Sequence, residues 1–278
     1  MKITLKNIDE KDCICEALIL PVIEGDANAY RKCGRPIYDL VKKFLSREFK
    51  GKPNETLLIP APEGIKTERV LLVGLGKKAD VSAEKIRQAG GKAASYLRDM
   101  GMRSTALSTH LISSLKFSPA DFIEGSLLGL YAFRKYRSEK NNAKELKSLI
   151  VLSASKGLKR EIDEVSYICS AVYFSRDMVN TPANDMTPSD LAKAALSLRD
   201  RKLSVKVLER KDAEKLGMEV FLSVAKGSHE SPKFIILEYR GSDSRPLVLI
   251  GKSITFDSGG ISLKPSEGMD KIKYDMAG

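Results

Sequence analysis

Through the first 155 residues, short apolar runs alternate with longer stretches in which apolar and charged positions are mixed. The runs ALILPVIE, TLLIPAP, RVLLVGLG, STALSTHL and LKSLIVLSA are rich in leucine and β-branched residues and predict strands. Between them, SAEKIRQAGGKAASYLRDM has helix-forming composition. SPADFIEGSLLGLYAF opens as a helix should, with Ser118 as N-cap, Pro119 at the first helical position and Asp121 placed to close a capping box. Strand and helix in alternation predict an α/β fold, a mainly parallel sheet with helices on its faces.

The pattern then changes. LKREIDEVSYICSAVYFSRDMVN reads as one long amphipathic helix, and it runs into TPANDMTPSD, where Pro182 and Pro188 interrupt any continuing helix. A linker helix and a boundary are expected there. The organisation predicted is a first α/β domain over residues 1–157, a connection over 158–186, and a second α/β domain over 187–278. Thr187, Pro188 and Asp190 repeat the helix-start device, and LSVKVLE, KFIILEYRG and PLVLIGK follow as strand signals.

Composition narrows the class. With 278 residues and 42% hydrophobic content the chain can bury a core of its own. Cys13 and Cys15 lie close, while Cys33 and Cys169 are isolated, a spacing that suits neither a disulfide framework nor a zinc site of paired cysteines. The apolar runs are far shorter than the ~18 residues of a membrane span, and the N-terminus lacks a signal peptide's apolar stretch, so a soluble, cytoplasmic protein without a membrane partner is expected. A net charge of +11 raises the question of a phosphate-bearing partner such as DNA. Basic and acidic residues are interspersed, however, and there is no Arg-rich block and no Trp to stack bases, so nucleic-acid binding is not expected as the main function.

Three stretches invite chemistry. GLGKKA, from Gly74 to Ala79, fits the glycine pattern of a dinucleotide-binding turn, but the acid that should follow the next strand is absent, and the plainer expectation is an ordinary strand-to-helix turn. DSGG, from Asp257 to Gly260, resembles the nucleophile turn of trypsin-like proteases around Ser258. Only His110 and His229 exist as bases, and an α/β chain conflicts with that all-β fold.

The third is the charged cluster after PLVLI. Lys252 and Asp257 follow the end of an apolar strand, the place where open α/β sheets bind ligands. Carboxylates spaced along a loop that Gly259 and Gly260 can turn tightly suit divalent cations, with Asp257 and either Asp270 or Asp275 as oxygen donors. The alternative is a set of solvated loop charges in ion pairs. A lysine can join such a metal site only as the neutral amine, which burial beside a dication favours.

At these residues the chain resembles the leucyl aminopeptidase family of dinuclear metallopeptidases. GKSITFDSGGISLKPSEGMDKIKYDMAG is similar to that family's signature almost position for position, and RDMVNTPANDMTP and VAKGSHESPKFIILEYRG agree as well. Weaker similarity in RVLLVGLGKK and EGSLLGLYAFRKY extends the resemblance over essentially the whole chain. It implies a macro-like N-terminal α/β domain followed by the first part of an α/β/α metallopeptidase domain. Lys252 is then the amine ligand of one metal, Asp257 the carboxylate shared by two, Asp275 a further ligand of the lysine-bound ion, and Lys264 the catalytic lysine. Ile272 stands where many relatives carry Met in the pocket for the substrate's first side chain, and it implies a preference for Leu or another apolar residue.

The implied cofactors are two divalent ions, zinc or manganese, that activate a water for hydrolysis of N-terminal residues from peptides. The implied assembly is a homo-hexamer. The remaining ligands and the catalytic arginine of the family lie in an NTDAEGR-type motif that this sequence does not contain. A truncated or split product, inactive alone, is therefore expected. The alternative is a non-catalytic remnant, or a regulatory protein that contacts DNA.

Overall fold

The computed structural model describes residues 1–45, 48–138 and 144–278, and the chain divides into two units, Met1–Tyr173 and Phe174–Gly278. In the first unit the strands are β1 (Lys2–Lys6), β2 (Ala17–Ile23), β3 (Thr56–Pro60), β4 (Arg69–Gly76), β5 (Ser104–Ser108) and β6 (Ser148–Leu152). They form one sheet in the order β1-β6-β5-β2-β4-β3, parallel throughout except for β3, which pairs antiparallel with β4 at one edge. Every residue of β2 is buried, so both faces of the sheet centre are covered, as a doubly covered parallel sheet requires.

The helices of this unit are α1 (Arg35–Leu45), α2 (Ala83–Asp99), α3 (His110–Ser114), α4 (Pro119–Gly129) and the start of α5 (Leu158–Asn180). The α/β expectation and five predicted strands are therefore realised. β1 escaped notice because its sequence KITLK puts lysines at both ends of a short edge strand, a common device at sheet edges and a weak apolar signal.

Two local expectations change. Ser118 does cap α4, accepting from the Ala120 amide at 3.1 Å, but Asp121 does not close a capping box. Its Oδ1 accepts from Arg87 at 2.9 Å, and the same guanidinium donates to Glu124 at 2.6 Å, so a charge-assisted network between α2 and α4 outcompetes the local hydrogen bond. The GLGKKA turn is filled by the chain itself. Gly76 donates to Gly51 O at 2.9 Å, and a Cβ on Gly74 would lie 2.0 Å from Lys52 O, so the glycines admit neighbouring backbone where a dinucleotide would need its pyrophosphate.

α2 and α4 cross at glycines. A Cβ on Gly125 would fall 1.8 Å from Arg87 O, and one on Gly90 would fall 2.1 Å from Phe122 O. Gly125→Ala must force these backbones apart and is expected to destabilise the protein by about 1–3 kcal/mol. Urea denaturation checks this; a change under about 0.5 kcal/mol, the range of an ordinary surface substitution, would contradict the close crossing.

The second unit contains α6 (Pro188–Ser197), β7 (Leu203–Leu208), α7 (Arg210–Lys215), α8 (Glu219–Val224), β8 (Phe234–Tyr239) and a 3-10 helix over Met269–Met276. The helix start at Thr187 is a full capping box: Asp190 N donates to Thr187 Oγ1, and Thr187 N to Asp190 Oδ2, both at 3.3 Å. β7 and β8 form an antiparallel pair. The expected strand PLVLIGK does not form. Leu247 is 85% and Ile250 94% exposed, and among the described residues no neighbouring strand pairs with this stretch, without which an extended segment has nothing to hold it. No helix among the described residues is long and apolar enough to cross a membrane.

Candidate metal centre

The expected site lies within the second unit, on the stretch 251–264 and the 3-10 helix. Its shape starts from Asp257. The Asp-x-Gly spacing closes an Asx turn, with Gly259 N donating to Asp257 Oδ1 at 2.9 Å. Gly259 has φ +90°, and a Cβ there would lie 2.2 Å from Ser262 O, so this tight turn needs glycine. The turn continues until Lys264 N donates to Ser258 O at 2.9 Å, which swings the Lys264 side chain back over the loop.

Two lysine–carboxylate pairs result. Lys264 Nζ donates to Asp257 Oδ2 at 2.7 Å, and Lys252 Nζ lies 3.1 Å from Asp275 Oδ2. The hydrogen bond from Lys264 is the main reason that the Asp257 carboxyl is held below the usual carboxylate range. The Gly259 amide adds to it, as do the charges of Lys264 and Lys252.

The 3-10 helix supplies Asp275 and carries Ile272, which is half-buried, while Asp270 is exposed. Lys273 of the same helix donates to the Asn180 carbonyl at 3.5 Å and so ties it to the end of α5. Where spacing left Asp270 and Asp275 open, tertiary contact pairs Asp275 with Lys252. The Gly259 amide was not among the expected site groups, although the Asp-x-Gly spacing was its signal.

The other serine reading finds no support in this geometry. The carboxylate beside Ser258 is engaged by Lys264 and Gly259, and His229 is exposed in its turn.

The chemistry of the donors sets what the patch can hold. Carboxylate oxygen and amine nitrogen suit zinc or manganese, and Lys252 and Asp275 stand side by side as a pair that one ion could bridge once the lysine is neutral. Each carboxylate is now neutralised by an ammonium. Among the described residues no three acids, histidines or cysteines gather closely enough to hold an ion. The residues present thus fit part of one metal shell and fall short of two.

Comparison with known proteins gives a consistent picture. A family model described as "Cytosol aminopeptidase family, catalytic domain" matches residues 173–278, and one described as the N-terminal domain of the same family matches residues 40–140. The "Probable cytosol aminopeptidase" of Geobacter sp. (strain M21) is 39% identical over 287 residues, an alignment that takes in 100% of this chain and 58% of the relative. A mutant of tomato leucine aminopeptidase superposes with TM-score 0.77 at 25% identity, covering 100% of this chain and 57% of that one. The bottromycin maturation enzyme BotP in complex with Mn superposes with TM-score 0.73 at 27% identity, covering 95% of this chain and 53% of that one. The chain spans between about half and three-fifths of the length of the curated relatives it matches.

Proposed function

The chain belongs to the cytosol aminopeptidase family, and from that premise we propose that it furnishes part of the active site of a metal-dependent aminopeptidase. The substrates are peptides with a free N-terminus, with Leu or another apolar residue first. The cell compartment proposed is the cytosol, which the relatives' names support, and the assembly proposed is a homo-hexamer. The observation that supports the reading is that Lys252, Asp257, Lys264 and Asp275 form two lysine–carboxylate pairs carried by the stretch 252–264 and the 3-10 helix.

Bound zinc or manganese ions, two in the complete site, would supply an activated water and a Lewis acid for the scissile carbonyl. BotP crystallised with Mn supports a metal in this fold. The chain's own residues have three tasks. Lys252 and Asp275 would hold one ion, and Asp257 would supply carboxylate oxygen to the metal site. Lys264, whose Nζ lies on the same loop and donates to Asp257 Oδ2 at 2.7 Å, would stabilise negative charge as it develops on the carbonyl oxygen. Ile272, half-buried beside these groups in sequence, forms apolar wall for the first side chain.

The two lysines give the decisive test, because one is proposed to bind metal and the other to act on the transition state. In an enzyme in which this chain is completed by the remaining length of its relatives, Lys264→Ala is expected to lower kcat by about 10²–10³-fold with metal content retained. Lys252→Ala is expected to lose metal, measured by inductively coupled plasma mass spectrometry. The opposite pattern would reverse the roles, and full activity with full metal in both would remove the site altogether.

A further inference from the structure

The first unit holds a cleft that the candidate metal centre does not use. It has a volume of about 270 Å³ and is bounded by α5, the last turn of α4 and the edge strand β1. Positions 159, 162, 163, 166, 169, 170 and 173 of α5 line it, a single stripe at the three- and four-residue spacing of one helix face. Ile3 comes from β1 and Leu127 from α4. Short side chains at Ser166, Cys169 and Ser170 leave the cleft open, and every lining residue belongs to the first unit.

The lining sorts into two chemistries. Ile162 and Cys169, each 3% exposed, make an apolar part together with Ile3 and Leu127. Lys159 and Asp163 form an ion pair at the rim, where their side chains are 62% and 49% exposed. Ser166 Oγ donates to the Ile162 carbonyl at 2.6 Å and Ser170 Oγ to the Ser166 carbonyl at 2.8 Å, so both hydroxyls have spent their protons and offer lone pairs only. The polar wall therefore presents one ammonium, one carboxylate and two accepting oxygens. A ligand that satisfies it carries a positive donor for Asp163 and the serines, and a negative acceptor for Lys159. Because the two charges of the wall stand side by side, those of the ligand must be neighbours too. In a free α-amino acid one carbon joins ammonium to carboxylate. The volume falls just short of the about 300–1,000 Å³ of a drug-sized site, which leaves room for one such molecule.

We propose that this cleft binds a free α-amino acid with an apolar side chain, its carboxylate at Lys159, its ammonium at Asp163, and its side chain against Ile3, Leu127 and Ile162. An exposed ion pair one helical turn apart contributes little to stability, so Lys159 and Asp163 re-form around the ligand at small cost. Under the proposed function, such a molecule is the class of product released; the binding itself does not depend on that reading.

The test is isothermal titration calorimetry of the 278-residue chain with L-leucine, in EDTA so that no metal recruits the amino acid to the second unit. One site with a Kd of about 1 mM or tighter is expected. 4-Methylpentanoate lacks the ammonium, 3-methylbutylamine lacks the carboxylate, and leucylglycine moves the two charges apart; each should bind at least about tenfold more weakly. Asp163→Asn and Lys159→Met, at exposed positions where the fold tolerates them, should weaken leucine binding by a similar factor, and Ser170→Leu should abolish it by filling the cleft. Hydrogen exchange should show leucine-dependent protection along 159–173. No binding at about 10 mM leucine, equal binding of the analogues, or wild-type affinity in the variants would overturn the proposal, as would protection confined to the second unit.

Discussion

In an enzyme completed with the remaining length of its relatives, Asp257→Ala abolishes peptide hydrolysis and lowers metal content together. Both oxygens of this carboxylate are engaged by groups of its own loop. In the chain as described, one accepts from Gly259 N at 2.9 Å and the other from Lys264 Nζ at 2.7 Å, so the loop already delivers a cation to it. Were two ions to bind as proposed, the negative charge of Asp257 would offset their mutual repulsion. Alanine removes that charge and also the partner that positions Lys264. Turnover should therefore fall below even that of the Lys264→Ala variant, because metal and oxyanion stabilisation fail at once. Paired measurement of metal content and leucyl-p-nitroanilide hydrolysis checks this. Near-normal turnover with both ions retained would remove Asp257 from the bridging role.

The second large effect concerns the 278-residue polypeptide assayed by itself. It is expected to show no chelator-sensitive hydrolysis of leucyl-p-nitroanilide with either zinc or manganese added. Among its described residues no three acids, histidines or cysteines converge on an ion, and Asp257 and Asp275 are each neutralised by an ammonium. A metal would have to displace Lys264 from Asp257 and take the proton from Lys252, with too few further donors to offset the loss of its own hydration. Mass spectrometry must first confirm that the preparation is free of host aminopeptidase. Chelator-sensitive turnover by the pure chain would mean that these residues build a smaller active site than the one proposed.

Sequence alone determined the elements whose signals are local. A run such as RVLLVGLG needs only its own residues to declare a strand, and Thr187, Pro188 and Asp190 make their capping box with atoms three positions apart. The long helix α5 and the crowding of lysines and aspartates between Lys252 and Asp275 were legible for the same reason. Tertiary structure decided whatever depended on partners distant along the chain. Asp121 could have completed a local cap, yet Arg87, on another helix, offers a charged donor and takes it. The glycines of GLGKKA could have faced a phosphate, yet the segment around Gly51 and Lys52 fills the space. Spacing could not choose between Asp270 and Asp275 as a second carboxylate beside Asp257, and only the fold pairs Asp275 with Lys252 while leaving Asp270 exposed. PLVLIGK has every local mark of a strand and forms none, because a strand is completed by hydrogen bonds to a neighbour, and no local pattern can provide that neighbour.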